Sequence, residues 1–157
     1  MATYEGSQGI TALKAKIAMK SKKLVGESLE KIAVMLVDES PLGAEYYASK
    51  QGAIQNDVGD FKNSWVVGLG TPDLSTRAAD TAGTAAVADA IVKGKRYNLE
   101  ETNYVTNNKD HAEMVEDGWA DNPEYGWKAK QGYHVVGNNI GAAKAICEIV
   151  AQKISKI

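Results

Sequence analysis

The glycines of the segment VVGLG, residues 66–70, are the first whose spacing could support chemistry, because glycine-rich loops between a strand and a helix bind dinucleotides. That fingerprint needs a third glycine three residues after the second, and Asp73 occupies the position here. An aspartate at that point would repel a pyrophosphate. A Walker loop is also excluded, because Gly94-Lys95 is followed by Arg96 instead of Ser or Thr. We therefore predict no nucleotide site.

A histidine among carboxylates, within residues 111–117, raises the possibility of a metal site. His111 and Glu116 are five residues apart, whereas residues that share a helix face are three or four apart. The other histidine, His134, is distant in the sequence. We therefore interpret residues 111–117 as a solvent-exposed acidic helix and predict no metal.

Candidate nucleophiles are equally sparse. The sequence contains no Gly-x-Ser-x-Gly string of the kind that presents a catalytic serine. The one cysteine, Cys147, lies in an apolar run with helical spacing, which favours a place near the core. A single cysteine also excludes an intrachain disulfide and a Cys-x-x-Cys metal cage. We predict that the protein is not an enzyme and uses no cofactor.

Length and composition are those of an ordinary globular chain. A length of 157 residues suits one domain, so residues 1–157 are assigned to a single domain. The net charge of -2 gives none of the overall basicity that indicates nucleic-acid binding. No run approaches the roughly 20 apolar residues of a membrane-spanning helix. Residues 1–9 are polar, lack the core of a secretory signal and are expected to form a flexible N-terminus.

The most pronounced periodicity predicts an amphipathic helix over residues 10–37. Its apolar positions recur at spacings of three, four and their sums: Ile10, Leu13, Ile17, Leu24, Ile32 and Leu36. Gly26 is expected to bend or interrupt the helix. Pro41 ends it, because the residue before a proline disfavours the helical conformation.

The rest of the chain alternates between short strands and helices. Residues 42–56 are expected to form an inserted loop, and residues 57–60 a turn. Strands are predicted over 61–70 and 96–106, and helices over 76–92, 109–117 and 140–154, with Gly94 and Gly118 as helix stops. Residues 119–133 have the composition of an extended loop. The predicted fold class is α+β, with a long N-terminal helix on a small mixed or antiparallel sheet, additional helices and a C-terminal helix.

Charge is segregated along the chain. The first helix carries an excess of lysine, whereas residues 100–124 carry eight carboxylates against one lysine, Lys109. One interpretation is a pair of independently solvated faces. The other is a pair of complementary surfaces on neighbouring copies, which would associate head to tail and close into a ring.

Two segments resemble a family of small proteins from the head–tail junction of tailed bacteriophages, the tail-completion, neck or minor capsid proteins. Residues 57–65, DVGDFKNSW, are similar to the family's Asp-Thr-Gly turn and the apolar, basic and Ser positions before its strand. Residues 105–118 are similar to its strand, Asn turn and Glu-x-Gly segment. Val58 replaces the family's usual Thr, and His111 replaces its usual Tyr.

The resemblance implies a virion structural protein that forms a homo-oligomeric ring, most often of six subunits, in the neck or tail after assembly in the host cytoplasm. The head connector or adaptor and the tail tube or terminator proteins would be its neighbours, with genomic DNA in the channel and no membrane involved. Exposed aromatic residues are expected to anchor the interfaces: Tyr46, Tyr47, Trp119, Tyr125 and Trp127. A turn and its anchors are expected to hold the strand on the long helix and to end the acidic helix: Asp57, Gly59, Phe61, Trp65 and Gly118.

Two other functions remain open on the sequence. A monomeric adaptor or inhibitor of phage or host origin would need only one partner surface. A small enzyme would need polar side chains that converge in a pocket.

Overall fold

The computed structural model of the chain describes residues 5–42, 58–97, 100–121 and 130–156. Within these ranges, the helices are α1 (Glu5–Glu39), α2 (Asp60–Asn63), α3 (Thr84–Arg96), α4 (Ala112–Asp117) and α5 (Val135–Ser155). The strands are β1 (Trp65–Leu69), β2 (Asn103–Asn107), β3 (Gly118–Trp119) and β4 (Lys130–Gln131). The predicted α+β class is confirmed, and the main sheet is antiparallel.

Helix α1 runs through Gly26 as one continuous helix, so of the two alternatives at that residue the interruption is wrong. Gly26 is instead the point where α1 crosses α3, because a Cβ atom on Gly26 would collide with the carbonyl oxygen of Gly94. The helix also begins earlier than predicted, so residues 5–9 of the expected flexible N-terminus are helical, and residues 1–4 lie outside the described residues. At the other end, the hydroxyl of Ser40 donates a 2.6 Å hydrogen bond to the carbonyl of Leu36.

The strand predicted over residues 61–70 begins only at Trp65, because the chain first forms the single turn of α2. Gly59 precedes that turn with φ at +84°, a conformation that glycine adopts without steric cost. The hydroxyl of Ser64 donates a 2.7 Å hydrogen bond to the carbonyl of Asp60 and closes the turn. Strand β1 then pairs with β2 in an antiparallel register that runs from Trp65↔Asn107 to Leu69↔Asn103.

Helix α3 lies further along the chain than the predicted range of 76–92, because a capping turn delays its start. Asp80 accepts hydrogen bonds from the amides of Ala82 (2.9 Å) and Thr84 (2.8 Å), and Gly83 adopts φ of +66°. These local bonds compete with the helical propensity of the alanines before them. Gly94 was wrongly predicted as the stop, since the helix continues to Arg96.

Helix α4 ends at Asp117, and Gly118, which follows with φ of +86°, is the first residue of β3. Strand β3 pairs with β4, so part of the stretch predicted as an extended loop is a short antiparallel ribbon. Helix α5 then begins five residues earlier than predicted and packs antiparallel along α1. Val135 at its start lies in the same core cluster as Leu36, and Lys153 near its end lies 3.2 Å from Glu27.

The core forms between the C-terminal half of α1, the main sheet and helices α3, α4 and α5. Its larger cluster joins buried residues from six elements: Leu36, Val37, Phe61, Trp65, Ala86, Val115 and Val135. A second cluster lies where α1 and α3 meet the sheet: Leu29, Ala33, Val67 and Ala90. Among the residues that the structure describes, no helix combines the length and the apolar composition needed to cross a membrane.

Candidate assembly surface

The two segments that carry the family resemblance fold into one unit. The side chain of Lys109 lies 2.6 Å from the carboxylate of Asp60. The side-chain amide of Asn107 donates a 2.8 Å hydrogen bond to the carbonyl of Phe61, and the ring of His111 lies 6.2 Å from the ring of Phe61. Residues 45 or more positions apart in the sequence therefore form a single junction between α2, β2 and the start of α4.

Phe61 and Trp65 anchor this junction on α1. Both are buried, and their rings meet edge to face with centroids 5.7 Å apart. The indole nitrogen of Trp65 donates a 2.7 Å hydrogen bond to the hydroxyl of Ser40, just beyond the C-terminus of α1. Position 59 requires glycine for two reasons. Its φ is positive, and a Cβ atom there would lie 2.6 Å from the backbone of Asp80.

Asn63 is a structural residue of this junction that the sequence did not single out. Its side-chain oxygen accepts hydrogen bonds from the amides of Ala85 and Ala86, both at 3.1 Å, and its side-chain nitrogen donates to the carbonyl of Ala78 at 2.8 Å. Asn63 thus caps the N-terminus of α3 from 22 residues away, where Gly83 has no side chain to do so. Asn in a turn is a signal for capping, but sequence does not reveal which helix it caps.

The aspartate that excluded a dinucleotide site belongs to a charged cluster on the β1–α3 side of the fold. Lys93 contacts Asp73 at 2.6 Å and Asp89 at 3.1 Å, and Arg77 contacts Asp89 at 3.2 Å. Asp89 also accepts a 3.0 Å hydrogen bond from the amide of Val67 in β1. Each charge in the cluster therefore has a partner within the chain, and the cluster braces α3 against the sheet.

The pKa values of the cluster reflect these contacts. The hydrogen bond from Lys93, together with bonds from Ser75, holds the pKa of Asp73 well below its ordinary value. Desolvation lowers the pKa of Lys93, but hydrogen bonds and charge attraction from Asp73 and Asp89 outweigh it, so the net shift is upward. Both groups are stabilised in their charged forms, as in a structural ion pair and unlike a catalytic acid or base.

Glu116, a candidate metal ligand on the sequence alone, caps a helix. Glu116 accepts hydrogen bonds from the amides of Val136 at 3.0 Å and Gly137 at 2.9 Å, which joins the end of α4 to the start of α5. His134 precedes α5 with φ of +50°. Among the described residues, no group of three or more His, Cys, Asp or Glu side chains is placed to hold a metal ion.

The N-terminal half of α1 leaves the folded body. Residues 9–19 are all exposed, and we call residues 9–23 the N-terminal arm. Three large apolar side chains at helical spacing are more than half exposed along it: Ile10 (58%), Leu13 (58%) and Ile17 (56%). Sequence reasoning assigned these residues to the same stripe as Leu36, whereas the structure buries only the C-terminal part of that stripe.

A break in the spacing is the signal that separates the two stripes of α1. Ile10, Ile17 and Leu24 repeat every seven residues, but Leu29, the first apolar core residue of α1, follows Leu24 after only five residues. At about 100° per residue, that step rotates the apolar face by about 140° around the helix. The arm therefore presents a second apolar face, and the core residues of α1 lie on a different one.

A second exposed apolar feature lies at the start of α5. Val136 and Ile140 are one helical turn apart and are 44% and 66% exposed. The carboxylates of Glu113 and Asp117, on the adjoining helix α4, are exposed as well. We call these four residues the acceptor surface.

The aromatic residues predicted as interface anchors are not placed by the structure. Tyr46, Tyr47, Tyr125 and Trp127 lie outside the described residues, and so does Asp57 of the predicted turn. Trp119 contributes its backbone to β3, and its side chain is not described.

Comparisons with known proteins provide no match: no family model, curated protein or solved structure is similar to this chain at a significant level.

Proposed function

We propose that this chain is a virion structural protein of a tailed bacteriophage, a subunit of a homo-oligomeric ring that joins the head connector to the tail. The observation that carries the proposal is the combination of a well-anchored body with a projecting helical arm. The arm has an exposed apolar face formed by Ile10, Leu13 and Ile17, and contiguous exposed apolar patches often mark protein–protein contacts.

The junction around Asp60, Phe61 and Asn107 supports the same proposal. The residues that resemble the junction family are those that hold α2, β2 and α4 together. These residues have a structural role, because the turn and its partners hold the main sheet against α1. The resemblance is the basis for the proposed position in the particle, and the fold gives the motif a structural role.

A ring is favoured over a monomeric adaptor by the presence of two unlike surfaces on one chain. An adaptor needs a single surface for its one partner. A subunit of a cyclic ring needs two different surfaces, one for each neighbour. The basic, apolar arm and the acidic acceptor surface satisfy that requirement.

Composition analysis of purified particles tests the position in the virion. Mass spectrometry of mature particles from the phage that encodes this chain is expected to detect it at a few copies per particle. A phage with a stop codon early in the gene is expected to accumulate filled heads and separate tails. Particles that lack the chain, or a stop mutant that produces normal virions, would overturn the proposal.

A further inference from the structure

We infer that the N-terminal arm docks on the acceptor surface of a second copy of this chain, and that this head-to-tail contact closes the ring. The inference rests on the proposed ring, and it names the two surfaces that meet. Three features support this pairing of surfaces: their opposite charges, their exposed apolar residues and the length of α1.

Charge is complementary between the two surfaces. The arm contains five lysines and no carboxylate. Residues 110–121, which include α4, contain five carboxylates and neither Lys nor Arg. A positive helix against a negative face steers the encounter and fixes its orientation.

The apolar parts are also matched. Ile10, Leu13 and Ile17 form one face of the arm, and the apolar part of the acceptor surface is formed by Val136 and Ile140. Glu116 accepts hydrogen bonds from the amides of Val136 and Gly137, so the start of α5, which carries the exposed apolar residues, adjoins the end of α4, which carries the exposed carboxylates. Each surface therefore combines exposed apolar residues with neighbouring charge, which is lysine on the arm and carboxylate on α4. Duplex DNA would engage the lysines but leave the apolar face of the arm in water.

The length of α1 prevents the arm from docking on the acceptor surface of its own chain. Val115 of α4 and Val135 of α5 lie in the core cluster around Leu36, at the C-terminal end of α1. Leu13 is 23 residues before Leu36 on the same continuous helix, a distance of about 35 Å at 1.5 Å per residue. A straight helix cannot fold back on itself, so the arm meets only the acceptor surface of another copy. Such a contact is heterologous, and it closes into a ring or continues as a filament.

Charge reversal tests the contact in the full chain. Lys14 and Lys20 flank the apolar face of the arm, and Glu113 and Asp117 are their proposed counterparts. We expect K14E/K20E and E113K/D117K each to weaken self-association by about tenfold or more in sedimentation velocity, because each reversal replaces attraction with repulsion. The quadruple variant, with both sets reversed, is expected to recover much of the wild-type association. Failure of that recovery would overturn the inference.

Site-specific cross-linking tests the pairing directly. In a C147S background, one preparation carries K14C and another carries E113C, and the two are mixed with a short bis-maleimide. The heterodimer between position 14 and position 113 is the expected product. A control preparation with Q152C, an exposed position on α5 outside the acceptor surface, is expected to give little cross-link with K14C.

The remaining outcomes separate this inference from the proposed function. Dimers linked between two copies of position 14 would indicate arm-to-arm pairing and overturn the docking, as would the absence of any cross-link at high protein concentration. Binding of duplex DNA that K14E/K20E abolishes, with unchanged sedimentation, would assign the arm to nucleic acid instead. If the cross-link forms but the chain is absent from virions, the docking stands and the phage assignment falls.

Discussion

Polar side chains at the ends of helices and strands connect distant parts of this chain. Trp65 reaches Ser40 beyond α1, Asn63 caps α3, and Glu116 caps α5. The bonds of Trp65 and Asn63 satisfy groups that would otherwise be buried without partners, which costs about 1–3 kcal/mol per group. The residue types indicate turns and caps in the sequence, but their partners are distant and depend on the folded arrangement.

Replacement of Asn63 tests the remote cap. Asn63→Ala removes the acceptor for the amides of Ala85 and Ala86 and the donor to Ala78, so we expect it to lower the free energy of unfolding by about 2–3 kcal/mol. Asn63→Asp keeps the acceptor and is expected to cost less. Urea denaturation monitored by tryptophan fluorescence measures both, and equal losses for Ala and Asp would contradict the capping role.

The Asp73–Lys93 ion pair makes the stability of the fold depend on pH. The pKa of Asp73 is lowered in the folded state, so the pair stabilises the fold above the unfolded pKa of about 3.9, and that stabilisation is lost as the pH falls below it. The pKa of Lys93 is raised, so its contribution is complete below an unfolded pKa of about 10.4 and is lost at higher pH. The contribution is about 1 kcal/mol at most, because both side chains are partly exposed to solvent.

The matched variant for that pair is Asp73→Asn, which keeps the shape of the side chain. We expect its free energy of unfolding to fall less steeply than wild type between about pH 5 and pH 2, because it lacks the carboxylate that must be protonated. Urea denaturation across this range provides the measurement. Parallel pH curves for the two proteins would show that the ion pair does not stabilise the fold.

At the scale of whole elements, the sequence predicted which helices exist more reliably than where they begin. The periodicity of α1 and α5 identified both helices, because many positions contribute to each pattern. The start of α3 was missed, because the turn formed by Asp80 and Gly83 overrides the helical propensity of a short alanine run. Gly94 was read as a stop because glycine often ends helices, whereas here it allows two helices to approach closely.

The close crossing of α1 and α3 at Gly26 and Gly94 predicts that a larger side chain at either position destabilises the fold. A Cβ atom on Gly94 would lie 2.8 Å from the carbonyl oxygen of Gly26, and one on Gly26 would collide with Gly94. Overpacking costs about 1–3 kcal/mol and exceeds the gain of about 1 kcal/mol that alanine brings to a helix interior. We expect both Gly26→Ala and Gly94→Ala to lower the melting temperature.

The exposed glycine of the arm provides the control for that crossing. Gly9→Ala lies in the same helix with no atom within 4 Å of the added Cβ, so it is expected to be neutral or stabilising. Thermal unfolding followed by circular dichroism compares the three variants. A stabilising effect of Gly26→Ala similar to that of Gly9→Ala would show that the helices can separate at no cost.

On the whole molecule, the arm lies at the N-terminal end of α1, and the acceptor surface lies near the C-terminal end of the same helix. Sequence composition revealed their charges, but not that the apolar face of the arm lies outside the core. The five-residue step from Leu24 to Leu29 separates the two apolar faces of α1, and α5 ends two residues beyond its contact with Glu27, so it leaves the arm uncovered. The same geometry makes the arm available to a neighbour.

An electron cryomicroscopy map of the phage neck would test whether this chain forms the proposed ring between head and tail. We expect a ring of copies of this chain between the connector and the tail tube, with α1 of each copy reaching α4 and α5 of the next. A neck whose density is fully explained by other proteins would show that the chain forms no such ring.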